Sequence, residues 1–184
     1  GGELLPYICD AGEFIRASYH AGKKILFEAQ LGTMRDIDFG IYPYTSSSSP
    51  LAAYAPIGAG VPDIKVDKVV GVVKAFSTCV GEGPFVSEWS GEQAHLLREA
   101  GGEYGAATGR PRRVGPFDLV ATRYGLKIQG VSCVALTKLD TLGYLPEIPV
   151  CTGYEIDGVV TEEFPFTPLL ARAKPVYETL PGWS

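Results

Sequence analysis

Among its 184 residues the sequence holds four cysteines, two histidines and one methionine. Cys9, Cys79, Cys133 and Cys151 lie far apart and form no CxxC pair, which excludes a zinc ribbon and gives no disulfide framework. His20 and His95 are isolated, so a histidine metal cluster is excluded and no metal ligands are expected within these residues. No apolar run reaches the ~20 residues of a membrane-spanning helix, and no basic-then-apolar leader stands at the start, so no membrane partner is expected. Positive charge is also scarce: 16 Lys and Arg against 21 Asp and Glu give a net charge of −5, with no basic stripe, which excludes a broad nucleic-acid surface. No GxxxxGK pattern followed by Ser or Thr is found. The only Gly-Lys pair, Gly22-Lys23, lacks the upstream glycine of such a phosphate cradle. A reduced, cytoplasmic compartment is the expectation.

What is present suits a folded domain. A hydrophobic share of 46% supports a core, and residues 1–184 read as a single partial domain with no internal repeat or dividing linker. "CDAGEFIRASYHAG" predicts a short helix, with Asp10 as N-cap and Gly22 as its stop. "KKILFEA" predicts a buried strand. Residues 30–62, rich in Gly, Ser, Tyr, Pro and Ala, form a long irregular stretch of the kind that is functional or mobile. Residues 66–77, "VDKVVGVVKAFS", carry helical spacing, with strand as the competitor because of the valines. "SGEQAHLLREAGG" predicts a helix with a Ser90/Gln93 capping box and a stop at Gly101. "GPFDLVATRYGLKIQG" predicts another, with Pro116 in its first position, Asp118 in its first turn and Gly130 as its stop. "VSCVAL", 131–136, follows as a buried strand, which suggests a βαβ unit and a parallel sheet. Asp157-Gly158 between strand-like flanks predicts a small antiparallel hairpin. The fold class is α/β, a mostly parallel sheet with flanking helices.

Two stretches invite a chemical reading. "YGAATGRPRRVG", 104–115, places Arg110, Arg112 and Arg113 behind a run of small residues, although the chain has only eight arginines. It is either a solvated turn or a loop that grips an anion. "TKLD", 137–140, follows an apolar strand, and ligands of open α/β sheets sit at the carboxyl ends of strands. A carboxylate at Asp140 can accept from the N1–H and exocyclic N2–H₂ of guanine, a donor pair that adenine lacks, while the stem of Lys138 covers the purine face. On four letters alone, a surface turn remains the competing reading.

Taken in order, "ILFEAQLGT", "DIDFGIYPYTSSS", "GVVKAFSTCVGEGPF", "GGEYGAATGRPRRVGPFD", "ALTKLD" and "PVYETLPGWS" resemble adenylosuccinate synthetase. The resemblance runs over nearly the whole chain and corresponds to the middle of that family, whose members begin with a GDEGKGK loop and continue beyond the segment matched here. It implies a P-loop-NTPase-like fold and a purine-biosynthesis ligase. GTP and Mg²⁺ serve to phosphorylate the 6-oxygen of IMP, and L-aspartate then displaces the phosphate to give adenylosuccinate. Catalysis of that kind rests on positioning and on neutralising phosphate charge.

By the resemblance, Thr108, Arg110 and Arg112 bind aspartate, a task suited to the planar guanidinium fork. Arg110 also reaches IMP and Arg112 the GTP side. Ala107 and Pro111 stand where the family usually has Thr and Arg, and Pro111 stiffens the loop by fixing φ. Arg113 reads as a surface charge. Thr45 corresponds to a threonine on the IMP phosphate and Val80 to a valine that contacts the nucleoside through its backbone; without the family they read as a loop hydroxyl and a packing residue. The usual FEGAQG glutamine falls on Leu31, so Gln30 is the nearest IMP-binding candidate. Lys138 and Asp140 match the guanine motif. Asp36 and Asp38 are expected to fix the following turn or cap a helix, because the family's catalytic base belongs to the GDEGKGK loop, and the Mg²⁺ ligands are expected mainly outside these residues. The implied partners are IMP, L-aspartate and GTP, and the family's full-length members are homodimers. These 184 residues alone are expected not to turn over. The competing reading is a stand-alone guanine-nucleotide-binding or interaction module without catalysis.

Overall fold

The computed structural model describes residues 2–183, which form a mixed α/β fold. Helix α1 (Ala11–His20) starts where Asp10 accepts a hydrogen bond from the Glu13 amide at 3.0 Å, the N-cap arrangement expected of that residue. The segment 23–29 does not become a strand: among the described residues none of its backbone groups enters a ladder, and Leu26 is 91% exposed. Without a neighbour to pair with, an apolar run has no sheet to join. The irregular stretch that follows contains the short helix α2 (Ala55–Gly58).

Residues 66–77 resolve in favour of strand. β1 (Val70–Lys74) and β2 (Phe76–Cys79) replace the helix that the spacing suggested. Its valines are stiff at χ1, and Gly71 lets the strand approach the later helix of residues 119–129 so closely that a Cβ there would meet Leu126 at 2.8 Å. Helix α3 (Gly91–Gly101) starts after Ser90, but the Ser90 side chain makes no capping bond, and Gly102, in the left-handed region at φ 61°, closes the helix one residue later than expected. Pro116 lies in a strand, β3 (Arg113–Asp118), rather than in a first helical turn. Helix α4 (Leu119–Gln129) begins only after Asp118, whose carboxylate accepts from the Ala121 amide. Gly130 ends it as expected. β4 (Cys133–Thr137) then pairs in parallel with β1, although Val134 and Leu136 are exposed, so the strand is not buried on both faces.

β5 (Glu147–Ile156) turns through Asp157 and Gly158, both at positive φ, into β6 (Val159–Thr161), which is the predicted hairpin. α5 (Thr167–Leu170) leads to β7 (Lys174–Pro181). The strands divide into a β1–β4 pair and a five-stranded sheet in which β2 pairs with β3, β3 with β5, and β5 with both β6 and β7. The β1–β4 and β3–β5 pairs are parallel and the other three antiparallel, so the α/β architecture carries mixed pairing. β3 and β4, which flank α4, lie in different sheets.

Two apolar clusters hold the elements together. One joins Phe76, Ala94, Leu97, Val114, Leu142 and Ile148, packing α3 on β2 and β3; the other joins Ile41, Val120, Cys151, Tyr154 and Leu170. In the second, the Tyr154 hydroxyl donates to Asp118 at 2.7 Å. Burial raises the Asp118 carboxyl against its bonds from Ala121 and Tyr154, and pushes the Cys151 thiol up to about 12.

Candidate functional site

The candidate anion-gripping loop grows out of the end of α3. Past Gly102, Tyr104 and Pro111 face each other in an isolated antiparallel bridge. The flanking bonds run from the Gly105 amide to the Arg110 carbonyl (2.8 Å) and from the Arg112 amide to the Glu103 carbonyl (2.9 Å). Neither needs an N–H from residue 111, so proline fits there without loss. Within the loop the Gly109 amide reaches the Gly105 carbonyl at 2.8 Å, with Gly109 in the left-handed region at φ 63°. The Thr108 hydroxyl lies 3.4 Å from the Arg110 amide at the exposed tip, and the Arg110 side chain makes no hydrogen bond or ion pair among the described residues.

Beneath this loop sits Glu103, 1% exposed. One carboxylate oxygen accepts from Lys74 Nζ at 2.7 Å, the other from Arg112 Nη1 at 3.0 Å, and Lys138 Nζ lies 3.9 Å from the first. Lys74 closes β1 beside Thr137, which closes the parallel β4, and its ammonium also donates to the Thr78 hydroxyl at 3.2 Å. Lys138 follows at positive φ, 57°, and its ammonium donates to the Gly101 carbonyl at the carboxyl end of α3, where the helix dipole favours a cation. That bond orients the Lys138 stem. Asp140 then opens a 3-10 helix, exposed, its carboxylate without a hydrogen bond among the described residues. The TKLD segment therefore occupies the carboxyl edge of a parallel strand pair, the position where α/β sheets present ligand-binding groups.

A second constellation is assembled by Arg35. Its guanidinium donates to the carbonyls of Tyr44, Glu82 (3.0 Å) and Val80 (2.7 Å) and lies 2.9 Å from Cys79 Sγ. It thereby ties the loop carrying Thr45 to the turn carrying Val80. Gly83 at φ 112° makes the approach possible, since a Cβ there would meet the Tyr44 ring at 2.8 Å. Arg113 holds the same turn from the other side: it forks onto Glu88 at 2.8 and 2.5 Å and donates to the carbonyls of Gly81 (3.1 Å) and Gly83 (2.8 Å). It is an anchor rather than a free surface charge. Val80 itself is 69% exposed. A depression of about 360 Å³ lined by Tyr42, Tyr44, Pro84 and Pro168 adjoins these loops.

The loop around Thr45 is fixed from below. Asp36 is fully buried and accepts from the amides of Asp38 (2.9 Å) and Phe39 (2.8 Å) and from the Ser49 hydroxyl (2.6 Å). Burial works to raise its pKa, but the Ser49 hydroxyl and the two amides outweigh that and hold the carboxyl below its ordinary value. Its role is the turn-fixing one expected for it. From α4, Tyr124 donates to the Phe39 carbonyl at 2.7 Å, and Gln129 bonds the Ala52 amide at 2.7 Å and the Thr33 hydroxyl at 3.1 Å. The 30–62 stretch is ordered by these bonds.

Of the residues singled out in sequence, Arg112 and Lys138 meet at Glu103, and Thr45 and Val80 are joined through Arg35. Arg110 and Thr108 stand at the exposed loop tip. Gln30 remains exposed, with no side-chain hydrogen bond among the described residues, beside Leu31 at φ 74°. Glu103, Lys74 and Arg35 carry no local sequence signal, because their partners lie far along the chain. Among the described residues no group of three or more His, Cys, Asp or Glu could hold a metal ion, and no helix is long and apolar enough to cross a membrane.

A family model described as adenylosuccinate synthetase matches residues 1–184. An adenylosuccinate synthetase of Symbiobacterium thermophilum is 51% identical over 184 residues, covering 98% of this chain and 43% of that protein. One of Thermomicrobium roseum is 50% identical over 184 residues, covering 100% and 43%. The solved structure of fully ligated adenylosuccinate synthetase from Plasmodium falciparum superposes with a TM-score of 0.92 at 38% identity, covering 98% of this chain and 44% of that one. The chain thus spans less than half the length of the relatives it matches.

Proposed function

Because the chain belongs to the adenylosuccinate synthetase family, a family of ligases, we propose that it supplies the guanine, aspartate and part of the IMP contacts of a GTP-dependent synthesis of adenylosuccinate. Phosphorylation of the IMP 6-oxygen turns a poor leaving group into a good one, and the amine of aspartate displaces it. The residues of this chain bind and orient. Asp140 accepts from guanine N1–H and N2–H₂, and the stem of Lys138 lies along the purine. Thr108, Arg110 and Arg112 receive the aspartate carboxylates, with Arg110 shared with IMP and Arg112 with the GTP side. Thr45 receives the IMP phosphate; Val80 contacts the nucleoside through its backbone, and Gln30 lies on the IMP side.

The observation that carries this reading is Glu103, which binds Arg112 and has Lys138 within 3.9 Å, so that the aspartate loop and the guanine motif share one support. Mg²⁺ would supply phosphate-charge neutralisation, its ligands lying mainly outside these residues. With no phosphate cradle in their sequence, these 184 residues alone form no adenylosuccinate from IMP, GTP and aspartate.

Calorimetric titration with GDP, ADP and xanthosine diphosphate tests the reading on wild type and Asp140→Asn. A hydrogen bond to a charged group contributes about 1.5–3 kcal/mol, so GDP should bind at least ~10-fold more tightly than ADP. The amide introduced by Asp140→Asn presents a donor to the xanthine 2-oxygen and should move the preference to the xanthosine nucleotide. A folded wild-type chain that does not distinguish GDP from ADP refutes the base-recognition role.

A further inference from the structure

We infer that Glu103 is a positioning residue that couples the candidate guanine site to the candidate aspartate loop; this rests on the function proposed above. Three cations from three separate elements converge on this one buried carboxylate: Lys74 at the end of β1, Arg112 at the entry to β3 and Lys138 after β4. Neither the guanine motif nor the loop contains Glu103, yet each has a cation within reach of it.

The network is unevenly satisfied. Lys74 holds Oε1 at 2.7 Å, while Lys138 stands 3.9 Å from that same oxygen and donates to the Gly101 carbonyl instead. Arg112 meets Oε2 through Nη1 alone, and its Nε–H is buried without a partner among the described residues. An unmatched buried donor is unfavourable, so Arg112 gains from a partner that reaches its Nε–H. Lys138 therefore has two acceptors, Gly101 and Glu103, and Arg112 has an incomplete fork that responds to whichever Lys138 chooses. A purine laid on the Lys138 stem biases that choice, and the bias passes through the carboxylate to Arg112. By linkage, aspartate at Arg112 tightens the guanine nucleotide by the same factor.

The backbone of Glu103 adds rigidity to the relay. Its amide donates to the Arg98 carbonyl at 2.9 Å and its carbonyl accepts from the Arg112 amide at 2.9 Å, so the backbone that carries the carboxylate is held between helix α3 and the loop base.

The test is GDP affinity by calorimetry with and without saturating L-aspartate, in wild type, Glu103→Gln, Lys138→Met and Lys74→Met. Wild type should bind GDP at least ~5-fold more tightly with aspartate present. Glu103→Gln keeps the shape but removes the charge, and Lys138→Met keeps the stem but removes the ammonium. Both should bring the factor to one, and Lys138→Met decides the matter if Glu103→Gln does not fold. Lys74→Met perturbs the same buried pair, yet leaves Oε1 to Lys138, so the factor should survive there even as thermal stability falls. A merely structural Glu103 would lose the factor equally in Lys74→Met, and that result overturns the inference. A factor of one in a wild type that still prefers GDP to ADP overturns it while leaving the proposed function standing, as does an unchanged factor in Glu103→Gln or Lys138→Met. A folded wild type that does not distinguish GDP from ADP overturns both.

Discussion

Replacing Asp36 by Asn tests whether one buried carboxylate organises the loop that carries Thr45. The carboxylate accepts three hydrogen bonds, from the Asp38 and Phe39 amides and the Ser49 hydroxyl, at 2.9, 2.8 and 2.6 Å. Asn is nearly isosteric but neutral, and bonds to charged groups contribute about 1 kcal/mol more each than bonds between neutral groups. The expected loss is therefore about 2–3 kcal/mol at pH 7. Asp36→Ala, which orphans two amides and a hydroxyl, should lose more. The pH dependence has a definite sign. The folded-state pKa of Asp36 is lowered, so its contribution is present above the unfolded value of about 3.9 and is lost as pH falls through the lower folded value. The stability gap between wild type and Asp36→Asn should then be widest near neutrality and shrink below about pH 4, where a protonated aspartic acid resembles the amide. Urea unfolding across pH measures the global effect. Amide exchange at Asp38 and Phe39 measures the local one, with opening faster by roughly 30- to 150-fold in the variant. A gap of equal size at pH 7 and at pH 3, or unchanged exchange at both amides, would refute the charge-based account of this turn.

Other expectations are simpler. Gly115→Ala puts a Cβ onto the Ser87 carbonyl oxygen inside β3, a backbone obstacle that cannot rotate away, so thermal unfolding should show a loss of about 3 kcal/mol or more. Cys151 is fully buried with its thiol pushed up to about 12, so a thiol reagent at pH 8 should label exposed Cys9 in the folded chain and leave Cys151 unmodified until denaturant is added; mass mapping of the labelled peptides reads the outcome.

How far the fold can be read from sequence depends on whether the deciding interactions are local. The Asp10 cap, the Gly130 stop and the Asp157-Gly158 hairpin each rest on two to four neighbouring residues, and each appears as expected. The start of α4 falls later than its sequence suggests because Pro116 suits both a first helical turn and a strand, and pairing of Phe76 with Pro116 decides for the strand. Residues 66–77 are ambiguous for the same reason: their spacing fits a helix, but the parallel partner β4, some sixty residues on, selects a strand. At "KKILFEA" composition points to a strand and no partner is present among the described residues. The candidate site divides similarly. TKLD and the arginine loop are legible as motifs, whereas Glu103, whose meaning comes from positions 74, 112 and 138, is not.

The three arginines of the loop show why a motif alone under-reads such a site. Adjacent residues at the entry to a strand face opposite ways, and Arg112 reaches Glu103 while Arg113 reaches Glu88. The donors follow that division. All three guanidinium nitrogens of Arg113 are engaged, two with Glu88 and one with the Gly81 and Gly83 carbonyls. Arg112 engages one with Glu103 and keeps a buried Nε–H unmatched. Arg110, at the exposed end, engages none among the described residues. Burial does not set the order between Arg112 and Arg113, whose side chains are 32% and 28% exposed; the carboxylates within reach do, with two Arg113 donors on Glu88 and one Arg112 donor on Glu103. The result is a graded series, with the arginine nearest the sheet committed to holding the Val80 turn and the one at the tip engaged with nothing among the described residues. Arg112 stands between, half-supported, and a change at Glu103 removes the one carboxylate that holds it.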